Sequence, residues 1–349
     1  MRELPQKILV IRLSSIGDII LSSPLLRTLR KKVGNNARID FVVKKEFAEL
    51  VKFNHHISIT HELDTALGFK GLQELKNQLQ KENYELVIDL QNNFRSIFLR
   101  NLIGLTDVVQ VDKLIWKRMQ LVYFKRNIFN GIIPVPIRYL KTLNGYEVFD
   151  DGKGLEVFVP DEIQFSVSGK IASLKLNQYE KTIALCPGAK HATKKWQKEK
   201  FIELGIELSK TYNAKIILFG SKEEEPLCAE IENKINSTFK NSCTSFAGQF
   251  SILESVAAIE FCDLVVTNDS ALMHIACAKH KKIIAIFGST VKEFGFIPFQ
   301  TESVIVERND VECRPCSHIG KNECPKGHFN CMELITVDDV KSEVKNLLN

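Results

Sequence analysis

The chain has 349 residues, a hydrophobic fraction of 44%, a charged fraction of 26% and a net charge of +5, from 47 Lys and Arg against 42 Asp and Glu. That length predicts two α/β cores rather than one, and the composition excludes a disordered or fibrous chain. No apolar run approaches the roughly 20 residues that span a bilayer, and Met1 to Lys7 lacks the regions of a signal peptide, so a cytoplasmic location is expected. The mild positive excess suits an anionic ligand or an anionic membrane surface, and no nucleic-acid recognition signature is present.

In chain order, Lys7–Leu13 (KILVIRL) predicts a buried strand, followed by a turn and a helix from Asp18 to Lys32. Arg38–Val43 and Glu85–Leu90 predict two more strands. A helix over Gly71–Lys81 precedes the second of these, and one over Phe94–Ile103 follows it, stopped by Gly104. Short apolar strands alternating with amphipathic helices imply a parallel sheet covered on both faces. The turn-rich Asp150–Gly154 and the polar stretch Pro160–Tyr179 interrupt the pattern. Domains over 1–165 and 181–349, with a linker over 166–180, are therefore expected. The pattern then restarts, with strands at Thr182–Cys186, Lys215–Phe219, Asp263–Thr267 and Lys282–Phe287. Helices are expected at Lys200–Lys210, Glu223–Lys234, Ser251–Glu260, Ser270–Ala278 and Val337–Leu348. Two doubly wound domains in succession imply a cleft between them, with ligands at the carboxyl ends of the strands.

Two common nucleotide signatures are missing: the P-loop pattern G-x-x-x-x-G-K-[ST], and a G-x-G-x-x-G after a strand. Four other segments carry polar groups where a strand gives way to a helix. In Arg12-Leu-Ser-Ser15-Ile-Gly17-Asp18, the acid stands at a strand's end and a helix's start; it reads as a helix-capping acid or as a general base. Pro187–Trp196 (PGAKHATKKW) reads as an anion cradle or as a solvated basic loop. In Thr267-Asn-Asp269-Ser270-Ala271-Leu272-Met-His274, the first helical turn offers backbone N–H groups to a diphosphate, and His274 reads as a ligand contact or a core residue. In Gly220-Ser-Lys-Glu223-Glu224-Glu225, a glutamate can accept from a ribose or simply complement the helix dipole.

Taken together, IRLSSIGDIILSSP, PGAKHATKKW, TNDSALMHIA and IFGST resemble glycosyltransferase family 9, the bacterial heptosyltransferases, along nearly the whole chain. The resemblance implies a GT-B fold, in which an acceptor domain and a donor domain face a central cleft, and an inverting, metal-independent enzyme using an ADP-activated heptose. By the family's motifs Asp18 matches the catalytic base, and Lys194 the lysine on the donor diphosphate. Thr193, Glu224, Asp269, Ser270, Ala271, Leu272 and His274 match the donor site. Glu223 is nearly as good a match as Glu224 for the ribose acid. Three departures stand out: Ala271 where the family often has Gly, Trp196-Gln197 in place of Trp-Pro, and Ala189-Lys190 at the start of the donor loop. The expected partners are ADP-heptose, a lipid A–core lipopolysaccharide acceptor and the cytoplasmic face of the inner membrane, with no nucleic acid.

On the acceptor side, Ser15, Gly17, Asn92 and Arg95 are expected near the substrate, with Lys113 and Arg118 from the basic, aromatic stretch Lys113–Arg126. That stretch fits an anionic membrane surface or sugar-lipid, and equally a helix whose lysines snorkel over core. Cys186, Cys262 and Cys277 read as core residues. Cys313, Cys316, Cys324 and Cys331 form C-x2-C-x7-C-x6-C, a spacing that fits structural zinc or an iron–sulfur cluster, or a thiol-rich loop. No cofactor is expected for catalysis. Two other functions fit the folds: a UDP-sugar 2-epimerase, and a non-catalytic, metal-stabilised sugar-nucleotide-binding protein.

Overall fold

The computed structural model describes residues 2–102, 104 and 107–348. Its strands are β1 (Lys7–Ile11), β2 (Arg38–Lys44), β3 (Ile59–Leu63), β4 (Leu86–Asp89), β5 (Asp107–Gln110), β6 (Lys181–Cys186), β7 (Ala214–Leu218), β8 (Cys243–Ser245), β9 (Leu264–Asn268), β10 (Lys282–Phe287) and β11 (Ser303–Glu307). Its helices begin with α1 (Ile16–Ile20), α2 (Ser23–Val33), α3 (Glu49–Lys52), α4 (Gly68–Gln80), α5 (Phe94–Arg100), α6 (Ile115–Phe124) and α7 (Val135–Leu140). They continue with α8 (Asp161–Ala172), α9 (Lys198–Tyr212), α10 (Glu225–Thr238), α11 (Ile252–Ile259), α12 (Ala271–Ala278), α13 (Asn330–Glu333) and α14 (Val337–Leu348).

The chain divides into two compact units. The first runs to Ile115 and resumes over Ile133–Phe158; the second takes Trp116–Ile132 and the described chain from Val159 onward. The first holds a parallel sheet in the order β3-β2-β1-β4-β5. The second holds a parallel sheet in the order β11-β10-β9-β6-β7-β8. In each, the winding starts in the middle and reverses once, between β1 and β4 and between β6 and β9. That is doubly wound topology, and it opens a crevice at the carboxyl ends of the two strands at each switch.

Helical spacing explains the cover. Leu72, Leu75 and Leu79 on α4 lie on one face and join Leu9, Ile11, Val42 and Val87 in a buried cluster. Val337, Val340, Val344 and Leu347 do the same for α14 in the second core, with Ile284, Ile286 and Leu208.

Four differences from the sequence reading have physical causes. The single helix expected over Asp18–Lys32 is two, broken at Leu21–Ser22. Pro24 has no N–H to continue the ladder, and the Ser23 hydroxyl takes the Ile20 carbonyl instead, at 2.8 Å. Most of the expected linker over 166–180 is not linker: α8 packs on α11, burying Val167 and Ile171 and pairing Lys170 with Glu254 at 2.8 Å. Its polar composition arises because few of its positions are buried. The expected C-terminal end of the helix after β4, Ile103, lies outside the described residues, and α5 itself ends at Arg100. Finally, the basic stretch from Trp116 belongs to the second unit, although it lies within the first expected domain.

The first sheet carries one buried polar cluster. Asp40 on β2 accepts from Tyr84 Oη at 2.5 Å and Arg38 Nη2 at 2.7 Å, and lies 3.2 Å from His61 Nε2. Burial alone would raise its pKa; His61, Arg38 and Tyr84 outweigh burial and hold the carboxyl at about 2. Asp40→Asn should therefore lower stability by roughly 2 kcal/mol at neutral pH, read by urea unfolding. The folded-state value lies below the ordinary 3.8, so this contribution is complete above that pH and is lost as the pH falls toward 2. The two unfolding curves should converge there; equal stability at neutral pH would refute the assignment.

Candidate functional site

In the first unit the polar groups gather where β1 and β4 end. Arg12 follows β1, and its Nη1 donates to the Leu90 carbonyl just past β4. Gln91 Oε1 accepts from the N–H groups of Leu13 at 3.1 Å and Ser14 at 3.2 Å, which fixes the turn into α1. Asp18 on α1 then has two faces. Its Oδ2 accepts from the Ser15 backbone at 3.3 Å and hydroxyl at 2.9 Å. Its Oδ1 pairs with Arg12 Nη2 at 2.6 Å and accepts from Tyr139 Oη at 3.3 Å. Asp18 thus caps its helix with one oxygen and pairs the other with a charged partner. Its side chain is 17% exposed. Burial would raise its pKa, but Arg12 and Ser15 overcome this and lower it, so Asp18 is a carboxylate at neutral pH. Burial pushes the Tyr139 phenol up, keeping it a neutral donor.

In the second unit the groups gather where β6, β9, β10 and β7 end. Asn268, buried at the end of β9, donates to the Pro187 carbonyl at 2.8 Å just past β6 and accepts from Trp196 N at 3.1 Å. It ties the basic loop to the switch point. Lys194 Nζ pairs with Asp269 Oδ2 at 2.7 Å, and the same oxygen accepts from Thr290 Oγ1 at 2.6 Å. Asp269 immediately precedes Ser270, which leads α12 in extended backbone and does not cap it with its side chain. The first-turn amides at Ala271 and Leu272 lie at the positive end of the helix dipole, where helix N–H groups have no partner within the helix. Glu224 comes from the turn after β7. Its Oε2 accepts from Ser221 N at 2.8 Å, and a Cβ on Gly188 would fall 1.9 Å from its Oε1. Glu224 is therefore the glutamate at the β6 loop, whereas Glu223 is exposed.

The arrangement is an ammonium, a helix terminus and an acid grouped at a switch point, the equipment for a nucleoside diphosphate. Residues 72–326 match the family model for glycosyltransferase family 9 (heptosyltransferase). The chain belongs to glycosyltransferase family 9. It is 29% identical over 343 residues to the lipooligosaccharide heptosyltransferase 2 of Campylobacter jejuni, with 95% of each chain covered. In structure it is similar to a family 9 glycosyltransferase from Veillonella parvula, with TM-score 0.81, 19% identity and coverage of 99% of this chain and 98% of that one. It is also similar to the ADP-heptose lipopolysaccharide heptosyltransferase II of Escherichia coli, with TM-score 0.72, 22% identity and 98% of each chain covered. The two Rossmann-like units are those of a GT-B glycosyltransferase.

Several residues expected at the family 9 site are engaged elsewhere. Thr193 is buried: its hydroxyl accepts from Ser289 Oγ and Lys321 N, each at 2.8 Å, and donates to the Lys321 carbonyl at 3.1 Å. It holds the loop's shape. His274 is buried too, which fits the core reading. The side-chain amide of Asn92 donates to the Val111 carbonyl at 3.1 Å, bracing the turn after β4. Arg95 is exposed on α5, and Lys113 is half-buried ahead of α6. Arg118 is in the second unit, not with Asp18, and its guanidinium lies 6.0 Å over the Phe296 ring. Arg12, Tyr139, Asn268 and Thr290 were given no role from sequence. Their only signal is position: Arg12 directly follows β1, Asn268 is the last residue of β9 and Thr290 lies three residues past β10, while Tyr139 has none.

The cysteines of this family 9 chain are all free thiols. Cys313 Sγ lies 3.8 Å from His328 Nε2, and the Cys316 thiol donates to the Cys313 carbonyl at 3.4 Å. Burial would raise the Cys324 pKa, but the backbone N–H groups of Phe329, Lys326, His328 and Gly327 reverse this and lower it. Burial pushes Cys331 up to about 11. Among the described residues, no group of three or more His, Cys, Asp or Glu side chains converges as a metal shell, so the zinc or iron–sulfur expectation finds no assembled ligand set. Also among these residues, no helix is long and apolar enough to cross a membrane.

Gly188→Ala should displace Glu224 while leaving the fold intact, because the collision is with the far end of a side chain. Nucleotide affinity should fall roughly tenfold, the value of about one charge-assisted hydrogen bond, measured by calorimetry. Unchanged affinity would remove Glu224 from the nucleotide site.

Proposed function

We propose that this glycosyltransferase moves heptose from ADP-L-glycero-D-manno-heptose to Kdo or heptose of a lipopolysaccharide inner core, with inversion and with no resident metal. Two of the relatives named above are named as heptosyltransferases of lipooligosaccharide or lipopolysaccharide, and one of these is named for ADP-heptose. The observation that carries the reading is the Lys194–Asp269–Thr290 chain beside the start of α12. Departure of a diphosphate from a sugar concentrates negative charge on the leaving oxygens. A lysine fixed by an acid, together with helix-end amides, neutralises that charge with little reorganisation. Asp269 is a positioning residue in this reading: it keeps the ammonium in place until phosphate competes for it. Glu224 accepts from the ribose, and Ser270, Ala271 and Leu272 meet the diphosphate. The Ala271 methyl sets a lower limit on how closely the backbone approaches.

Asp18 takes the proton of the acceptor hydroxyl as its oxygen attacks the anomeric carbon, and inversion follows from that single displacement. Arg12 orients the carboxylate at a cost, because lowering its pKa weakens it as a base. Proton transfer therefore follows C–O bond formation, when the hydroxyl has become acidic. Ser15, Gly17, Asn92, Arg95, Lys113 and Arg118 are the proposed acceptor contacts. Because the acceptor is lipid-linked, the reaction takes place at the cytoplasmic face of the inner membrane.

The test is calorimetric titration with ADP and UDP, followed by product analysis with ADP-heptose and a truncated core acceptor. Tight ADP binding, a negligible UDP response and a heptosylated product are expected. UDP preference with sugar epimerisation and no acceptor would support the 2-epimerase, and nucleotide binding without turnover would support a binding protein. Asp18→Asn should lower kcat by at least roughly 100-fold with ADP affinity unchanged. Lys194→Ala should lower kcat by roughly 100- to 1000-fold and weaken ADP as well. Only ionised Asp18 works, and its pKa is lowered, so the acid limb of kcat/KM should lie below the ordinary carboxylate value of 3.8. An acid limb near neutral pH would exclude Asp18 as the base.

A further inference from the structure

Helix α6 is apolar on its outward side. Ile115, Trp116, Met119 and Tyr123 are 62%, 65%, 41% and 74% exposed. At 3.6 residues per turn they occupy about 100° of the helix circumference. Leu121, on the opposite side, is the helix's buried residue, and Phe124 extends the exposed apolar surface at the C-terminal end. A surface helix of a globular domain turns its apolar stripe inward, so this orientation needs a partner.

The helix is held firmly in this pose. Lys125 Nζ donates to the carbonyls of Cys313 at 2.9 Å and Pro315 at 2.7 Å. Asn127 Nδ2 donates to Glu293 at 3.2 Å, and the Phe129 ring meets Phe294 edge-on at 6.4 Å. The charge around it is one-sided. Residues 111–132 contain Lys113, Lys117, Arg118, Lys125 and Arg126 against a single acid, Asp112. Amphipathic aromatic rings on the exposed face and cations beside them match the interfacial zone of a bilayer with anionic headgroups.

We propose that the outward face of α6 docks the protein on an anionic phospholipid surface, with Trp116, Met119 and Tyr123 entering the headgroup–acyl boundary. The purpose of such docking rests on the reading of a lipid-linked acceptor, but the docking itself needs neither acceptor nor sugar nucleotide. It is built into a solvent-facing helix, and Trp116, Met119 and Tyr123 are not among the groups proposed for chemistry.

The chain contains two tryptophans, Trp116 and Trp196, and Trp196 is only 2% exposed, so a change of emission on binding reports Trp116. The experiment mixes the full chain with vesicles of phosphatidylglycerol and phosphatidylethanolamine, or of phosphatidylcholine alone, without acceptor or nucleotide. Co-sedimentation with the anionic vesicles and a blue shift are expected, with roughly tenfold weaker binding to phosphatidylcholine and at high salt. The double variant Tyr123→Ser, Phe124→Ser keeps the reporter and removes only exposed rings. It should melt as the parent does, bind roughly tenfold more weakly, and keep its turnover on a soluble acceptor. Lys117→Gln with Arg126→Gln should remove the preference for anionic lipid. The proposal is overturned if the parent ignores anionic vesicles, if the ring variant binds like the parent, or if vesicles are bound only when doped with core acceptor. It is also overturned if light scattering finds a dimer that the ring variant dissociates, since a second copy would then be the occupant. Loss of vesicle binding with heptosyl transfer intact refutes docking alone; docking without transfer refutes the function alone.

Discussion

Each sheet has one place where adjacent parallel strands begin helices that leave in opposite directions, and there the strand ends must part. A buried polar side chain spans the gap in both. In the first sheet Arg12 reaches from β1 to the carbonyl past β4, and in the second Asn268 reaches from β9 to the carbonyl past β6. Both are buried, and a buried polar group is tolerated only with its partners in place. The crevice is therefore rigid where it would otherwise be softest. The same two residues also hand their neighbours to the chemistry: Arg12 carries the counter-charge of Asp18, and Asn268 holds the backbone of Trp196, two residues after Lys194.

The donor loop divides its work along its own length. Thr193 faces inward and spends its hydroxyl on Ser289 and Lys321, whereas Lys194 faces Asp269. Adjacent residues in an irregular turn point in different directions, so a polar residue next to a functional one is often what holds it. The alternation also explains why the ammonium is precisely directed although it terminates a flexible side chain: backbone on both sides of it is fixed by buried hydrogen bonds.

The interior strands were legible because they are continuously apolar: β1, β2, β4, β6, β7, β9 and β10 were each expected within a few residues of where they run. The strands that escaped notice, β3, β5, β8 and β11, are the four sheet edges. An edge strand has one neighbour and a wetter face; Ile59–Leu63 and Asp107–Gln110 are each only partly buried and mix polar with apolar residues, so neither reads as a continuous apolar run. Asp18, Lys194 and Asp269 could be singled out in the sequence because they follow strand ends in recognisable motifs. Tyr139 could not be found that way: it reaches Asp18 from 121 residues away, on a helix with no motif of its own. At Asn92 and Thr193 the sequence marks a polar residue near a strand end without showing which hydrogen bonds it has already made.

The basic loop before α9 is closed by residues made much later. The Trp196 indole donates to the Ile335 carbonyl at 3.0 Å, 139 positions onward, and Thr193 exchanges hydrogen bonds with Lys321, 128 positions onward. A ribosome that has delivered Lys194 and its helix but not yet this last stretch carries a chain whose basic loop lacks the partners that close it. The loop thus takes its final shape only when the second core is complete.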